Sequence, residues 1–288
     1  MRIGVTGATG FIGRHLVSKL LSQNKNVSVL THSQKSQLDP VTIFQGSVED
    51  SHSLDSFCKE IDILYHLVGI IAETRKKTFD KTVVEGTENI VEAAKKHHIK
   101  KIVYLSALGT AESALSKYHQ TKFLAEQAVM HSGIPYAIFR PSVVYGEGDG
   151  FVSLLVKMIR YSPFTPIIGT GKFQLQPIYI DDLTDMMTKI DFLEDEIISI
   201  GGPEKLEYLE ILYLLKKHLG KKRLNIFLPT VLMKMVASVL EPILKPAPIT
   251  RDQILMMEEG STCDITKMKQ LFSNNPIKFE DGLKKYLR

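Results

Sequence analysis

Apolar positions along the first 145 residues follow two alternating rhythms. Short runs that are apolar or small at nearly every position predict strands at Arg2–Thr6, Asn26–Thr31, Thr42–Gln45, 61–67, 101–106 and Tyr136–Pro141. Between most of them, apolar residues recur three and four apart. That spacing predicts helices over Phe11–Ser22, 53–60, 79–97 and 117–131. Continuously apolar strands alternating with amphipathic helices imply an α/β chain with a doubly wound parallel sheet, covered on both faces. Beyond Gly146 the rhythm loosens. A helix is expected over Phe151–Tyr161, an extended piece at 173–180, a short strand at 197–200 and a helix at 208–219. This divides the chain into a sheet domain, 1–150 plus about 174–200, and a smaller subdomain, 201–288 plus about 151–173.

One stretch fits neither rhythm. From Ile226 to Leu244 the only charges are Lys234 and Glu241, so the segment is apolar nearly all round. Such a pattern predicts a helix buried on several sides, limited by Pro242 to about three turns, too short to span a bilayer. A sharper reading makes Met233 and Met235 the adaptable wall of a greasy substrate pocket, or part of a peripheral membrane contact.

Composition narrows the classes. With 288 residues, 44% hydrophobic and 24% charged, long disorder is excluded and a sizeable core is available. The net charge of +4 is mild, and the basic clusters fall at predicted helix ends, which argues against nucleic-acid partners. Cys58 and Cys263 are far apart and the histidines lack ligand spacing, so no metal is expected and a reducing, cytoplasmic location fits. The first strand begins at once after Met1, with no secretory pattern before it, and no segment is long and apolar enough to cross a membrane.

The chemistry is concentrated at the first strand–helix junction. Gly7, Gly10 and Gly13 stand three apart between a strand and a helix. The first permits a tight turn, the second lets backbone approach a pyrophosphate, and the third lets helix pack on strand. The helix amides are then aimed at the phosphates. An NAD site sets a carboxylate at the end of the second strand to hold the ribose hydroxyls. Here that end reads Thr31-His32-Ser33-Gln34-Lys35, and the nearest carboxylate, Asp39, precedes Pro40 as a turn residue. Arg14, His32 and Lys35 could meet a 2′-phosphate instead, so NADP is expected, with NAD as the alternative.

With these elements placed, the chain resembles the extended and atypical short-chain dehydrogenase/reductase superfamily, of NAD(P)-dependent epimerase/dehydratase-like type. The resemblance is closest to bacterial relatives of the NADPH-binding accessory subunit of respiratory complex I. Its carriers, in order, are TGATGFIG (6–13), YHLVG (65–69), EGTENIVEAA (85–94), VYLSALG (103–109), YHQTK (118–122), FRPSVVYG (139–146), QPIYIDDL (176–183) and GGP (201–203). The resemblance implies a Rossmann sheet with a smaller C-terminal, substrate-side subdomain. It places the cofactor along Gly7, Thr9, Gly10, Phe11, Ile12, Gly13 and Arg14. Ser47, Val48, Leu67, Val68 and Gly69 would follow along the nucleotide, with Lys122, Pro141 and Ser142 near the nicotinamide.

It also implies that Tyr118 and Lys122 carry the chemistry, with Ser106 beside them. On a helix, positions i and i+4 share a face, so phenol and ammonium can line one pocket. The lysine charge then favours the phenolate. A second such pair, Tyr213 and Lys217, lies among the packing leucines of a later helix and reads as chance. Three departures weigh against full activity. Ala107 and Leu108 follow Ser106 where active members carry Ser or Thr, Val83 stands where Asn often does, and Ser47 replaces an Asp that meets the adenine. Asp181 and Asp182 read as a helix start. The segment 173–177 has no arginine to clamp a sugar-nucleotide phosphate.

The leading expectation is therefore NADPH-dependent reduction or oxidation of a small apolar carbonyl, enone or quinone-like compound. The alternatives are a non-catalytic NADPH-binding accessory, assembly or sensor protein of a respiratory or quinone pathway and, weaker, a sugar-nucleotide epimerase or dehydratase. The oligomeric state is left open.

Overall fold

A computed structural model describes residues 1–32, 40–244, 247 and 249–287. The chain divides into two units, residues 1–140 with 184–198, and residues 141–183 with 199–288.

In the first unit the order is β1 (Arg2–Thr6), α1 (Phe11–Ser22), β2 (Asn26–Thr31), β3 (Thr42–Gln45), α2 (Ser51–Cys58), β4 (Ile63–His66), α3 (Gly86–Lys96), β5 (Lys101–Leu105), α4 (Lys117–Met130) and β6 (Tyr136–Pro141). In the second, β7 (Val144–Tyr145), α5 (Phe151–Tyr161), β8 (Phe164–Ile168), β9 (Gln174–Leu175) and β10 (Ile178–Tyr179) come first. The helix α6 (Ile180–Met187) and the strand β11 (Glu196–Ile200) bracket the chain's return to the first unit. Then come β12 (Leu206–Glu207), α7 (Tyr208–His218), β13 (Leu224–Leu228), α8 (Thr230–Ile243), α9 (Arg251–Glu259), α10 (Thr266–Phe272) and α11 (Phe279–Tyr286).

Seven strands form the central sheet, in the order β11-β6-β5-β4-β1-β2-β3. The pairs joining β1 to β6 are parallel, and Thr6 is level with both Leu30 and His66. All four residues of β4 are buried, as a strand covered on both faces requires. On one face, Leu54 and Phe57 of α2, Ile90 and Val91 of α3, and Ala125 and Val129 of α4 pack on Leu64, Ile102, Tyr104 and Ile138. Each fully buried large side chain there contributes about 1.5–3 kcal/mol. The chain winds outward from β1 to β3, then crosses back to β4. The β1/β4 boundary is thus the topological switch point, where ligands lie against strand carboxyl ends in such sheets.

Local chemistry moved two predicted boundaries. The α2 helix starts earlier than predicted because the Asp50 carboxylate caps it, accepting from the His52 N–H at 3.1 Å. The helix expected from 79 opens instead as a wide π-helical turn, Asp80–Glu85, running directly into α3.

Among the described residues the second unit holds three short two-stranded ladders, β10 with β7, β12 with β9 and β13 with β8. Tyr145, Phe279 and Leu283 are buried together in this unit. Here α11 passes so close that a Cβ on Gly282 would sit 2.1 Å from the Tyr145 hydroxyl. The burial expected on several sides of 226–244 is not found. The segment forms a strand and a helix, but Ala237 is the one buried residue of α8, and Leu224, Ile226 and Phe227 of β13 are exposed. An all-round apolar pattern cannot distinguish a helix enclosed by protein from one bearing a bare apolar face.

Candidate functional site

A cleft of about 200 Å³ opens at the switch point of the first unit. Its wall is built from the ends of four strands: Thr6, Gly7, Thr9 and Gly10 after β1, Leu30, Thr31 and His32 after β2, Gly46, Ser47, Val48 and Glu49 after β3, and Leu67, Val68 and Gly69 after β4. Lys77 and Thr82 complete it.

The glycine turn is tightly specified. Gly7 has φ +74°, and its carbonyl accepts from the Gly10 N–H at 3.0 Å. A Cβ at Gly7 would stand 2.9 Å from the Leu67 backbone, and one at Gly13 only 2.1 Å from the Gly7 carbonyl oxygen. Gly7 therefore serves the turn and Gly13 the seating of α1 on β1. Gly10 differs, since a Cβ there meets only the Gly7 oxygen, at 3.2 Å. Gly10 is also the N-cap of α1 and offers no side chain to the first helical amides, which suits them to an anionic oxygen. Phe11, Ile12, Gly13 and Arg14 continue into that first turn and are not part of the cleft wall among the described residues.

This cradle fits a dinucleotide. A pyrophosphate needs amides unobstructed by side chains, which Gly7 and Gly10 supply, and the walls beyond them carry apolar Leu30, Val48, Leu67 and Val68 for a flat base. The substitution Gly10→Leu is expected to lower dinucleotide affinity at least about tenfold with little change in folding, because the added side chain enters the cleft rather than the α1–β1 contact. Calorimetric titration against a circular dichroism melt checks it, and unchanged affinity in a folded variant overturns it.

The second cluster adjoins the cleft through Gly69, where a Cβ would lie 3.3 Å from the Lys122 Nζ. Lys122 is buried on α4 and donates to the Leu105 carbonyl at 2.8 Å and the Tyr104 hydroxyl at 3.2 Å. Burial pushes its pKa down to about 8, against the opposing pull of the Glu126 carboxylate. Tyr118 stands one turn earlier, its ring edge-on to buried Phe79 with centroids 6.0 Å apart. Burial, first, and the nearness of Tyr118 and Glu126, next, push the Tyr104 phenol well above its ordinary value. Ser106, at the end of β5, is buried, and its hydroxyl meets the Thr110 hydroxyl at 3.2 Å.

A buried polar chain missed in the sequence underlies this cluster. The His66 ring is enclosed between the Thr6 hydroxyl, 2.7 Å from Nδ1, and the Thr87 hydroxyl, 3.0 Å from Nε2, and stacks on Tyr104. The Thr87 hydroxyl donates to the Val83 carbonyl, so it accepts from an Nε2–H and leaves Nδ1 to accept from Thr6. Burial, reinforced by the Lys122 charge, holds His66 down to about 3, so the ring is neutral. His66 and Tyr104 lie inside YHLVG and VYLSALG, where a polar residue within an otherwise apolar strand was the available signal. Lys77 gave none, because its segment has no periodicity.

The other expected residues are distributed differently. Lys35 and Asp39 lie outside the described residues. Pro141 and Ser142 belong to the second unit. There the Ser142 hydroxyl donates to the Ser261 carbonyl at 2.7 Å and accepts from the Gln176 N–H at 3.2 Å. The Asp182 carboxylate accepts from the Ile277 N–H at 3.0 Å, and Asp181 and Asp182 sit in the first turn of α6. Gln176 is buried, donating to the Gly202 carbonyl and accepting from the Cys263 N–H, both at 2.8 Å. Tyr213 is exposed and Lys217 pairs with Glu280 at 3.1 Å. Among the described residues no cluster of three or more His, Cys, Asp or Glu has metal-binding arrangement. None of their helices is long and apolar enough to cross a membrane.

Residues 3–201 match the NAD dependent epimerase/dehydratase family. The chain belongs to that family. Among its relatives is NADH dehydrogenase (ubiquinone) 1 alpha subcomplex subunit 9, mitochondrial, of Arabidopsis thaliana, 25% identical over 96% of this chain and 72% of that protein. Ceramide reductase of Caulobacter vibrioides is 28% identical over 62% of this chain and 57% of its own length. The UDP-glucuronic acid 4-epimerase of Bacillus cereus, solved with UDP-glucuronic acid and NAD, shares the fold at TM-score 0.77 and 23% identity, over 99% of this chain and 97% of that one. The family's dependence on a nicotinamide dinucleotide accords with the cleft. The position that Gln176 fills in this chain is taken up by internal hydrogen bonds.

Proposed function

We propose that the protein binds NADPH in the switch-point cleft and interconverts a small apolar carbonyl, or quinone-like, compound and its reduced form. Tyr118 is the acid/base and Lys122 its electrostatic partner. The observation that carries this is the Lys122 ammonium, buried at the carboxyl end of β5, next to Gly69 and one turn beyond Tyr118. Burying a cation is costly, and a charge at that depth favours a phenolate brought close to it. Bound NADPH supplies the hydride. Gly7 and Gly10 hold its pyrophosphate, Val48 and Leu67 flank its base, and Lys122 holds ribose and phenol. Tyr118 gives its proton to the substrate oxygen on reduction and takes it back on oxidation.

The apolar substrate class rests on the clamp that 173–177 lacks. Its Gln176 amide is committed to Gly202 and Cys263, leaving no bidentate cation for a sugar-nucleotide phosphate there. NADP over NAD rests on His32 after β2 and Lys77 across the cleft, both exposed side chains able to donate to a 2′-phosphate. The decisive experiment follows reduced-nicotinamide absorbance as the pure protein meets quinones and long-chain ketones. Oxidation of NADPH supports the reading, whereas bound but unconsumed NADPH across the panel moves it to an accessory role. Calorimetry is expected to show NADPH bound at least about tenfold more tightly than NADH, and the reverse order overturns the NADP assignment.

A further inference from the structure

The second unit carries an apolar ridge that no element of the described residues covers. Along α8, Val231, Met235, Val239 and Ile243 recur at four-residue intervals, so they form one stripe, and each exposes between 62% and 72% of its surface. Ala237, off that stripe, is the buried residue of the helix. In the strand just before it, Leu224 is 76% and Phe227 54% exposed. Contiguous exposed apolar area of this kind marks an interaction surface rather than scattered surface leucines.

Charge around the ridge identifies the partner. From 151 to 172 the chain has Lys157, Arg160 and Lys172 and no acidic residue. Lys221, Lys222 and Arg223 lead directly into β13, and the guanidinium of Arg223 is anchored on the Ile159 carbonyl at 2.8 Å. From 221 to 244 the single acid is Glu241, which is turned to Arg251. Lys234 is paired with Glu258 at 2.8 Å. Lys157, Lys172, Lys221 and Lys222 thus make no ion pair among the described residues, whereas Glu258 of α9, the helix packed on α8, is taken by Lys234. A second copy would bring two such sets of cations together. An anionic bilayer instead takes the apolar stripe into its interfacial layer while lysines and arginines reach the headgroups.

We propose that α8 and β13 dock this protein peripherally on membranes rich in anionic lipid. The surface needs neither the cofactor nor catalysis, so it stands or falls apart from the proposed reaction. The test is sedimentation of the full chain with vesicles of phosphatidylcholine alone and with about 30% phosphatidylglycerol added. The protein is expected to pellet with the anionic vesicles at low salt and to be released as salt rises. The double variant Met235→Glu/Val239→Glu keeps its circular dichroism spectrum, because both positions are exposed, and loses at least about tenfold in vesicle affinity. The double variant Lys221→Glu/Lys222→Glu loses the preference for phosphatidylglycerol. Failure of the wild type to pellet with either vesicle overturns the proposal, as does binding unaffected by the glutamates on α8. A concentration-dependent dimer that those glutamates dissolve, without vesicle binding, assigns the ridge to a second copy instead.

Discussion

Turnover of the Tyr118→Phe variant is expected to fall by roughly 10²–10⁴, the worth of a positioned acid/base, while NADPH affinity stays within about threefold. The substitution removes one hydroxyl and leaves the ring where packing holds it, edge-on to Phe79 and 5.2 Å from the His119 ring. His119 is itself fixed, its Nδ1 2.9 Å from the Ser116 hydroxyl at the N-cap of α4. The variant therefore isolates proton transfer from helix placement. Lys122→Met provides the contrast, since it removes the donor to Leu105 and the charge beside the cleft, so cofactor affinity and turnover fall together. Steady-state rates on whichever quinone or ketone consumes NADPH separate the two patterns. Full activity in Tyr118→Phe would leave the chemistry to another group.

The strands of the first unit were legible because parallel-sheet burial leaves a mark at every position, and β1, β2, β3 and β6 fall where the apolar runs put them. The glycine turn was legible for a related reason. Only glycine survives at φ +74°, or 2.1 Å from a carbonyl oxygen, so backbone constraint is written into residue identity. What stayed hidden depends on partners distant in sequence. Thr6, His66 and Thr87 make one hydrogen-bonded unit only after the sheet has aligned β1 with β4 and packed α3 beneath them. Lys77 reaches the cleft from a segment without regular structure. The exposure of α8 was hidden more deeply, because hydrophobicity records a preference for leaving water and not whether another element is there to receive the helix.

The substitution Arg140→Leu is expected to destabilise the fold by about 3 kcal/mol. Arg140 ends the first unit's share of β6 and grips the Glu126 carboxylate of α4 with two parallel donors, Nε to Oε1 at 2.8 Å and a terminal nitrogen to Oε2. The Glu126 side chain has no solvent exposure, so without the guanidinium a buried carboxylate loses its bidentate partner. Breaking one side of such a pair costs about 3–5 kcal/mol, and the lower end applies because Lys122, one turn before Glu126, still faces it. Removing both partners is different. The variant Glu126→Leu/Arg140→Leu is expected to recover most of the loss, since the orphaned charge, rather than the lost ion pair, is what destabilises. Urea unfolding of the single and double variants measures this, and a double variant as unstable as Arg140→Leu would mean that the pair contributes through attraction. Recovery of stability without recovery of turnover would show what the ion pair is retained for. It fixes α4 against β6, and α4 is the helix that carries both Tyr118 and Lys122.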